Sequence, residues 1–345
     1  MALTSENKIY AALAVLALLG GGVYLTQTQQ RKEQERLTKP GAGANLPDFK
    51  VSAEDVEKIT KIEIKNADKS TVTLEKTDDK WRVTKPVDYA ANQANVKSVL
   101  DNLKEFKTKE LIDPNAAAYG EYGLDDAKAV HVVAFKGTDK AADLYFGKSG
   151  GRGQMVRKGG VEGVYALSGY SSYQYTREVK NWRDNELLKF DEAAPTRIDL
   201  KNENGDFVFK KEGETWDATQ KNQKIDRYDE SKVKDLVRAF KALSAEDFAD
   251  QKSDADTGLD KPVATLTITL KEGEPIKLAF GKTASGESRY LRKQGTSQVF
   301  IVSSWAAGWA TAKVDKFQKT DEKKDAGGDD ATKDEKKKDE KKGKK

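Results

Sequence analysis

The chain has no cysteine and a single histidine, His131. Without thiols it forms no disulfide, thiolate nucleophile, zinc–thiolate site or cysteine-linked lipid anchor. One imidazole excludes any centre that needs two. An excess of one charge sign is also missing. Against 61 Lys and Arg stand 57 Asp and Glu, a net charge of +4. That balance argues against a dedicated nucleic-acid binder, which usually shows a basic stripe. Long apolar runs are scarce too. The exception is "IYAALAVLALLGGGVYL", Ile9 to Leu25, which holds no charge. As a helix it measures about 26 Å, near the lower limit for a hydrocarbon core of roughly 30 Å.

Several segments follow from this run. Residues 1–8 form a short flank and residues 9–25 an expected transmembrane anchor. The bulky Val23, Tyr24 and Leu25 leave no small-x-small cleavage site, so the anchor is expected to stay attached. Arg31, Lys32 and Arg36 after it outnumber Lys8 before it, and that bias alone points the body to the cytoplasm. Residues 26–54, polar and then Gly/Pro-bearing, read as a stalk. Residues 320–345 contain no apolar side chain larger than Ala and read as a disordered charged tail.

Between stalk and tail the sequence repeats itself. "ITKIEIKNADKSTVTLEKTDDKWRV" from Ile59 parallels "PTRIDLKNENGDFVFKKEGETWDA" from Pro195, and each ends near a tryptophan, Trp81 or Trp216. Val96, Val99, Leu100, Leu103 and Phe106 share their spacing with Val233, Leu236, Val237, Phe240 and Leu243. That spacing puts one apolar stripe on a helix. "YGLD" at Tyr122 then parallels "TGLD" at Thr257, and "LYFGKS" parallels "LAFGKT". The pairs are offset by 135 residues, give or take a residue or two. The reading is two copies of one domain, 55–191 and 195–319. Each copy is α+β: a mainly antiparallel sheet of about six strands, with helices packed on one face.

The repeat disposes of a tempting motif. Gly147-Lys148-Ser149 and Gly281-Lys282-Thr283 look like the end of a phosphate-binding P-loop. That loop needs a glycine five positions before its last glycine and a helix after it. Ala142 and Ile276 stand there instead, within strand patterns. Gly147 and Gly281 are therefore read as strand ends opening turns, and no nucleotide is expected. His131, matched with Leu266, is placed at or beside the core. Asp125 and Asp126 read as a turn beside Gly123. The Arg157-Lys158 and Arg292-Lys293 pairs read as exposed strand charges that guard edges.

Late aromatics remain. Tyr170 and Trp305 match and are read as core. Tyr173, Tyr175 and Trp309 lack aromatic counterparts and are the candidates for a partner-binding surface. No catalytic residue, metal ligand or cofactor is expected.

The strand pair ending at Trp81, the helix stripe, the Tyr-Gly-Leu turn and the "LYFGK" strand together resemble the DUF4340 family, over nearly all of residues 55–319 as two copies. The second copy departs from the pattern at Thr257, where the family usually has Tyr, and keeps Pro262, which the first copy lacks. The resemblance implies a membrane-tethered extracytoplasmic component, linked with ABC-type transport of the gliding-motility kind. On that implication the body is placed in the periplasm, against the flank charges, on a single-pass inner-membrane anchor. The expected function is binding or scaffolding of envelope or membrane proteins. The alternatives are an envelope hydrolase acting through carboxylates and a wall- or polysaccharide-binding protein.

Overall fold

The computed structural model describes residues 46–66 and 69–320, with Gln27 singly. The expected anchor, nearly all of the stalk before residue 46 and the tail from residue 321 lie outside the described residues. No helix among the described residues is long and apolar enough to cross a membrane. The chain divides into two units, Met1–Glu186 and Leu187–Lys345.

In the first unit Ser52 caps a short helix α1 (Ala53–Glu57), accepting from Asp55 N at 3.0 Å. Alternation then sets three strands: β1 (Lys61–Asn66), β2 (Lys69–Thr77) and β3 (Lys80–Lys85). Ile62, Ile64, Val72, Leu74, Trp81 and Val83 point to one buried side. After β4 (Tyr89–Ala90), Asn92 caps helix α2 (Gln93–Leu103). The Gln93 amide grips the backbone of Trp81, with Nε2 donating to its O and Oε1 accepting from its N, both at 2.9 Å. Val96, Val99 and Leu103 of the stripe are buried in the same core.

The sheet is completed by β5 (Lys107–Asp113), β6 (Val130–Lys136), β7 (Asp139–Gly150), β8 (Gly153–Lys158) and β9 (Val161–Ser168). Its nine strands run in the order β4-β3-β2-β1-β6-β7-β8-β9-β5, each neighbour antiparallel. Nine strands stand where about six were expected, because two-residue β4 and the returning β5 leave no periodic signal.

One face is also not left bare. A 3-10 turn (Ala116–Ala118) and helix α3 (Tyr119–Tyr122) pack Ala118, Tyr119 and Tyr122 against Ile112, Leu124, Met155, Val164 and Ala166. These lie opposite the main core, since Val156, Tyr165 and Leu167 alternate with them. A strand covered on both faces shows a continuous apolar run, as in "GVYAL", instead of alternation. The expectation of helices on one face is corrected accordingly.

The second unit has the same strand order. Its strands are β10 (Pro195–Asn202), β11 (Gly205–Glu212), β12 (Thr215–Gln220), β13 (Gln223–Lys224), β14 (Asp247–Phe248), β15 (Ala264–Leu270), β16 (Ile276–Ser285), β17 (Ser288–Lys293) and β18 (Phe300–Val302). They are arranged β13-β12-β11-β10-β15-β16-β17-β18-β14. Helices α4 (Ser172–Tyr175) and α5 (Val179–Trp182) end the first unit, and α6 (Glu230–Phe240) of the second stands at the place of α2. This helix buries Val233, Leu236, Val237 and Phe240. Helix α7 (Asp254–Thr257) opens with a capping box between Ser253 and Asp256. Helix α8 (Ser304–Ala310) and a 3-10 turn (Val314–Phe317) close the unit. An asparagine ends the first strand of each sheet and ties it to the terminal helix. Asn66 Nδ2 donates to Tyr175 O, and Asn202 Nδ2 to Ala310 O, both at 3.0 Å.

The glycine-lysine triplets sit inside strands rather than at their ends, which corrects the turn reading. β7 and β16 run through them, with a register irregularity just after Phe146 and Phe280. A methyl group on Gly147 would overlap the Tyr122 carbonyl, and one on Gly281 the Thr257 carbonyl. Gly123 (φ +68°) and Gly258 (φ +71°) end the helices that supply those carbonyls, in the left-handed conformation that costs glycine nothing. The "YGLD/TGLD" and "FGK" motifs are thus two sides of one close backbone contact.

Candidate functional site

The aromatic candidates divide by helix geometry. Tyr173, in α4, is 72% exposed. Tyr175 is fully buried, stacked on Tyr170 at 5.4 Å and packed on Phe146 at 5.5 Å. Residues two apart on a helix lie about 200° apart around its axis, so both rings cannot face solvent. Trp309 is buried against Phe317, at 5.9 Å between centroids. Tyr175 and Trp309 are therefore core, and only Tyr173 of the three is on the surface.

Trp305, expected in the core, is 57% exposed and meets Trp309 edge-on at 5.8 Å. Tyr170 lies half-buried on Phe146 at 4.1 Å. The 135-residue offset fails here because the loops differ. β9 ends at Ser168 and α4 follows Ser171, whereas β18 ends at Val302 and α8 follows Ser303 directly. Counted from these serines, Tyr173 and Trp305 hold the same helical position. Each unit thus exposes one aromatic ring in the first turn of its terminal helix.

A cation lies beside Tyr173 and another over Trp309, the buried ring that Trp305 meets. The Arg177 guanidinium lies 4.5 Å from the Tyr173 ring and 5.7 Å from that of buried Trp182. Lys316 Nζ lies 4.2 Å over Trp309 and donates to Gly308 O at 2.9 Å. Burial pushes the Lys316 amine below its ordinary value. These two cations carried no sequence signal, since each is one charge among many.

His131 lies elsewhere than expected. Val130 pairs with Phe146 and Ala264 with Phe280, so β6 and β15 match at an offset of 134. The counterpart of His131 is Thr265, not Leu266. A slip of one residue reverses the face of a strand, and His131 sits on the outer face with its side chain 24% exposed. Its Nε2 donates to Asp143 Oδ1 at 2.8 Å, and Lys140 Nζ to Oδ2 at 2.7 Å. Burial pushes the Asp143 carboxyl up, but the Lys140 and His131 hydrogen bonds outweigh it and hold it below the usual carboxylate range. The imidazole stacks on Tyr145 at 3.8 Å, and the Arg157 guanidinium lies 3.3 Å from the same ring and 4.9 Å from Tyr119.

Arg157 is nearly buried and does not guard an edge, because β8 is flanked by β7 and β9. Its Nε donates to Leu124 O at 2.8 Å and its Nη2 to the Asp126 carboxylate. Asp125 accepts from the Ala127 and Lys128 amides and shapes the turn. In the second unit Arg292 instead grips one carboxylate with both terminal nitrogens, Asp254 at 2.7 and 2.5 Å. Thr265, Lys277 and Ala279 stand there for His131, Asp143 and Tyr145. The shared part of this outer-face assembly is an arginine that fastens a turn to the sheet. Among the described residues no three His, Asp or Glu side chains group as metal ligands.

No curated protein and no solved structure matches the chain. The family DUF4340, a domain of unknown function, matches residues 81–262. The match begins at Trp81 in β3 and ends just before β15, one span that starts in the first unit and finishes in the second. It covers more than half of the 345 residues, and the chain belongs to the DUF4340 family.

Proposed function

We propose that the protein is a binding or scaffold component of the cell envelope, held by the segment Ile9–Leu25 in the inner membrane. Its two units, copies of one ancestral domain, stand outside the cytoplasm and contact partner proteins, as an accessory of an ABC-type transport system. The observation that carries this reading is the matched pair of exposed rings, Tyr173 and Trp305. A ring left in water at one position is ordinary; the same position exposed in both units points to use. Tyr and Trp supply a large, stiff contact area at low entropic cost.

The test is site-specific photocrosslinking in intact cells. A photoreactive side chain at position 173 or 305 of the full-length protein is expected to give discrete protein adducts. The same group at exposed Thr265 on the outer face of β15 is expected to give none. Equal adducts at all three positions, or none at 173 and 305, overturns the reading. Protease added to spheroplasts is expected to digest both units.

A further inference from the structure

Ahead of α1 the chain runs without secondary structure from Leu46 to Val51 and straps itself onto the first unit. Phe49 and Val51 are buried, and the Phe49 ring meets Tyr165 at 5.4 Å. Thr108 Oγ1 donates to Pro47 O at 2.7 Å, Lys158 Nζ to Asp48 O at 2.8 Å, and Val51 N to Leu103 O at 2.9 Å. Two of these bonds end at the turn between α2 and β5. The same turn holds the loop that leads into α4. Asn102 Nδ2 donates to Gly169 O at 2.5 Å, and a methyl group on Gly169 (φ +90°) would overlap the Glu105 carbonyl. Phe106 extends the contact to Phe146, 5.6 Å away, on which Tyr170 and Tyr175 pack. Residues 102–108 thus touch both the strap and the loop and helix that carry Tyr173.

The second unit has the strap without the connection. Leu187 N and Leu188 N donate to Leu243 O at 2.9 and 3.1 Å, and Lys293 Nζ to Leu187 O at 3.0 Å. Lys158 and Lys293 hold matching positions, opposite Leu144 and Leu278. At the place of Asn102 stands Ala239, which has no side-chain donor, and only Ser303 separates β18 from α8. Asn102 is buried, and among the described residues its Oδ1 has no hydrogen-bond partner. A buried acceptor left unpaired is costly, and the second unit folds with alanine there. The bond to the loop, rather than the needs of the fold, accounts for the amide.

We propose that the strap regulates the Tyr173 docking surface. Seated, it fixes residues 102–108 and, through Asn102 and Phe106, holds α4. Peeled away, it lets the loop and α4 loosen, and the docking ring loses its fixed position. The proposal rests on the scaffold reading above and adds a control to it. The strap is the first described part of the body after the anchor, so a pull through the stalk reaches it before any strand. Strand β1, which follows α1, lies inside the sheet between β2 and β6 and resists the same pull. Coupling between two places needs an element with two arrangements that both places feel. The strap is that element, and Trp305 in the second unit lies outside its control.

The test is hydrogen exchange of the full-length protein in neutral detergent micelles, read by mass spectrometry over segments 46–52 and 170–177. In the wild type the two segments are expected to open together, with one urea dependence below global unfolding. Thr108→Val/Lys158→Met is expected to speed exchange in both about tenfold, the equivalent of about one hydrogen bond, and to leave segment 304–311 unchanged. With Asn102→Ala added, the same pair is expected to speed only segment 46–52. Separate urea dependences in the wild type overturn the proposal. So does faster exchange at 46–52 alone while Asn102 is in place. Near-UV circular dichroism checks that each variant is folded, and should one unfold, the wild-type urea dependence decides. In cells, Thr108→Val/Lys158→Met is expected to lose adducts at 173 and keep those at 305; loss at both, or at neither, overturns the proposal. Adducts at 173 together with separate exchange leave the scaffold reading standing and remove only the strap's control. Joint opening without wild-type adducts at 173 or 305 removes the scaffold reading, and the docking role of the strap with it.

Discussion

At the scale of single residues, the close contact beneath Gly147 and Gly281 makes the sharpest forecast. A Cβ at either site meets a backbone carbonyl, which cannot swing aside as a side-chain tip does. Gly147→Ala and Gly281→Ala should each cost about 1–3 kcal/mol in urea unfolding. Gly120→Ala, with nothing near its Cβ, should stay within about 0.5 kcal/mol. Equal effects at all three would reject the contact. Asp143 gives a pH test. Its folded pKa is lowered, so the stability it contributes is present above the unfolded value of about 3.9 and is lost as pH falls through the folded value. Asp143→Asn should therefore flatten the acid side of the stability–pH curve below about pH 4 while lowering stability at neutral pH. An unchanged acid limb would show that Lys140 and His131 do not act on this carboxylate.

At the scale of elements, two tryptophans and two arginines hold the pieces together. Trp81 and Trp216 are buried on the third strands of their sheets. Truncation to Ala should cost about 3–5 kcal/mol in each case. Chemical denaturation followed by near-UV circular dichroism measures it, and a negligible loss at both would reject the core assignment. Arg157 fastens the turn after α3 through Leu124 O and Asp126, and Arg292 fastens α7 through Asp254. Lysine keeps the charge but not the fork. Arg157→Lys should speed hydrogen exchange at the Ala127 and Lys128 amides, whose acceptor is Asp125 of the same turn. Protection that survives the substitution would mean that the turn holds itself.

At the scale of the whole chain, each unit has its own nine-stranded sheet, core and terminal helix. Segments 46–186 and 187–320, produced separately, should each fold with a cooperative thermal transition. A segment lacking near-UV signal and cooperative melting would show that its core is incomplete alone.

Local pattern was enough for much of this architecture. Alternation marks Ile62/Ile64 and Ile198/Leu200 as the buried sides of strands, and the stripe Val233, Leu236, Val237, Phe240 marks a helix, because short-range periodicity is set by backbone geometry alone. The absence of cysteine closed off thiol chemistry before any fold was known. The candidate surface was only half legible: Tyr173 could be named, while Trp305 was exchanged for Trp309, since one offset cannot hold across loops of different length. His131 turned on a single residue of register, which the pairing of Val130 with Phe146 decides and no one-dimensional alignment does. Which glycines press on a carbonyl depends on separate elements of the chain meeting in space. Sequence separation carries no record of that meeting, so Gly147 and Gly281 acquire their meaning only in the folded protein.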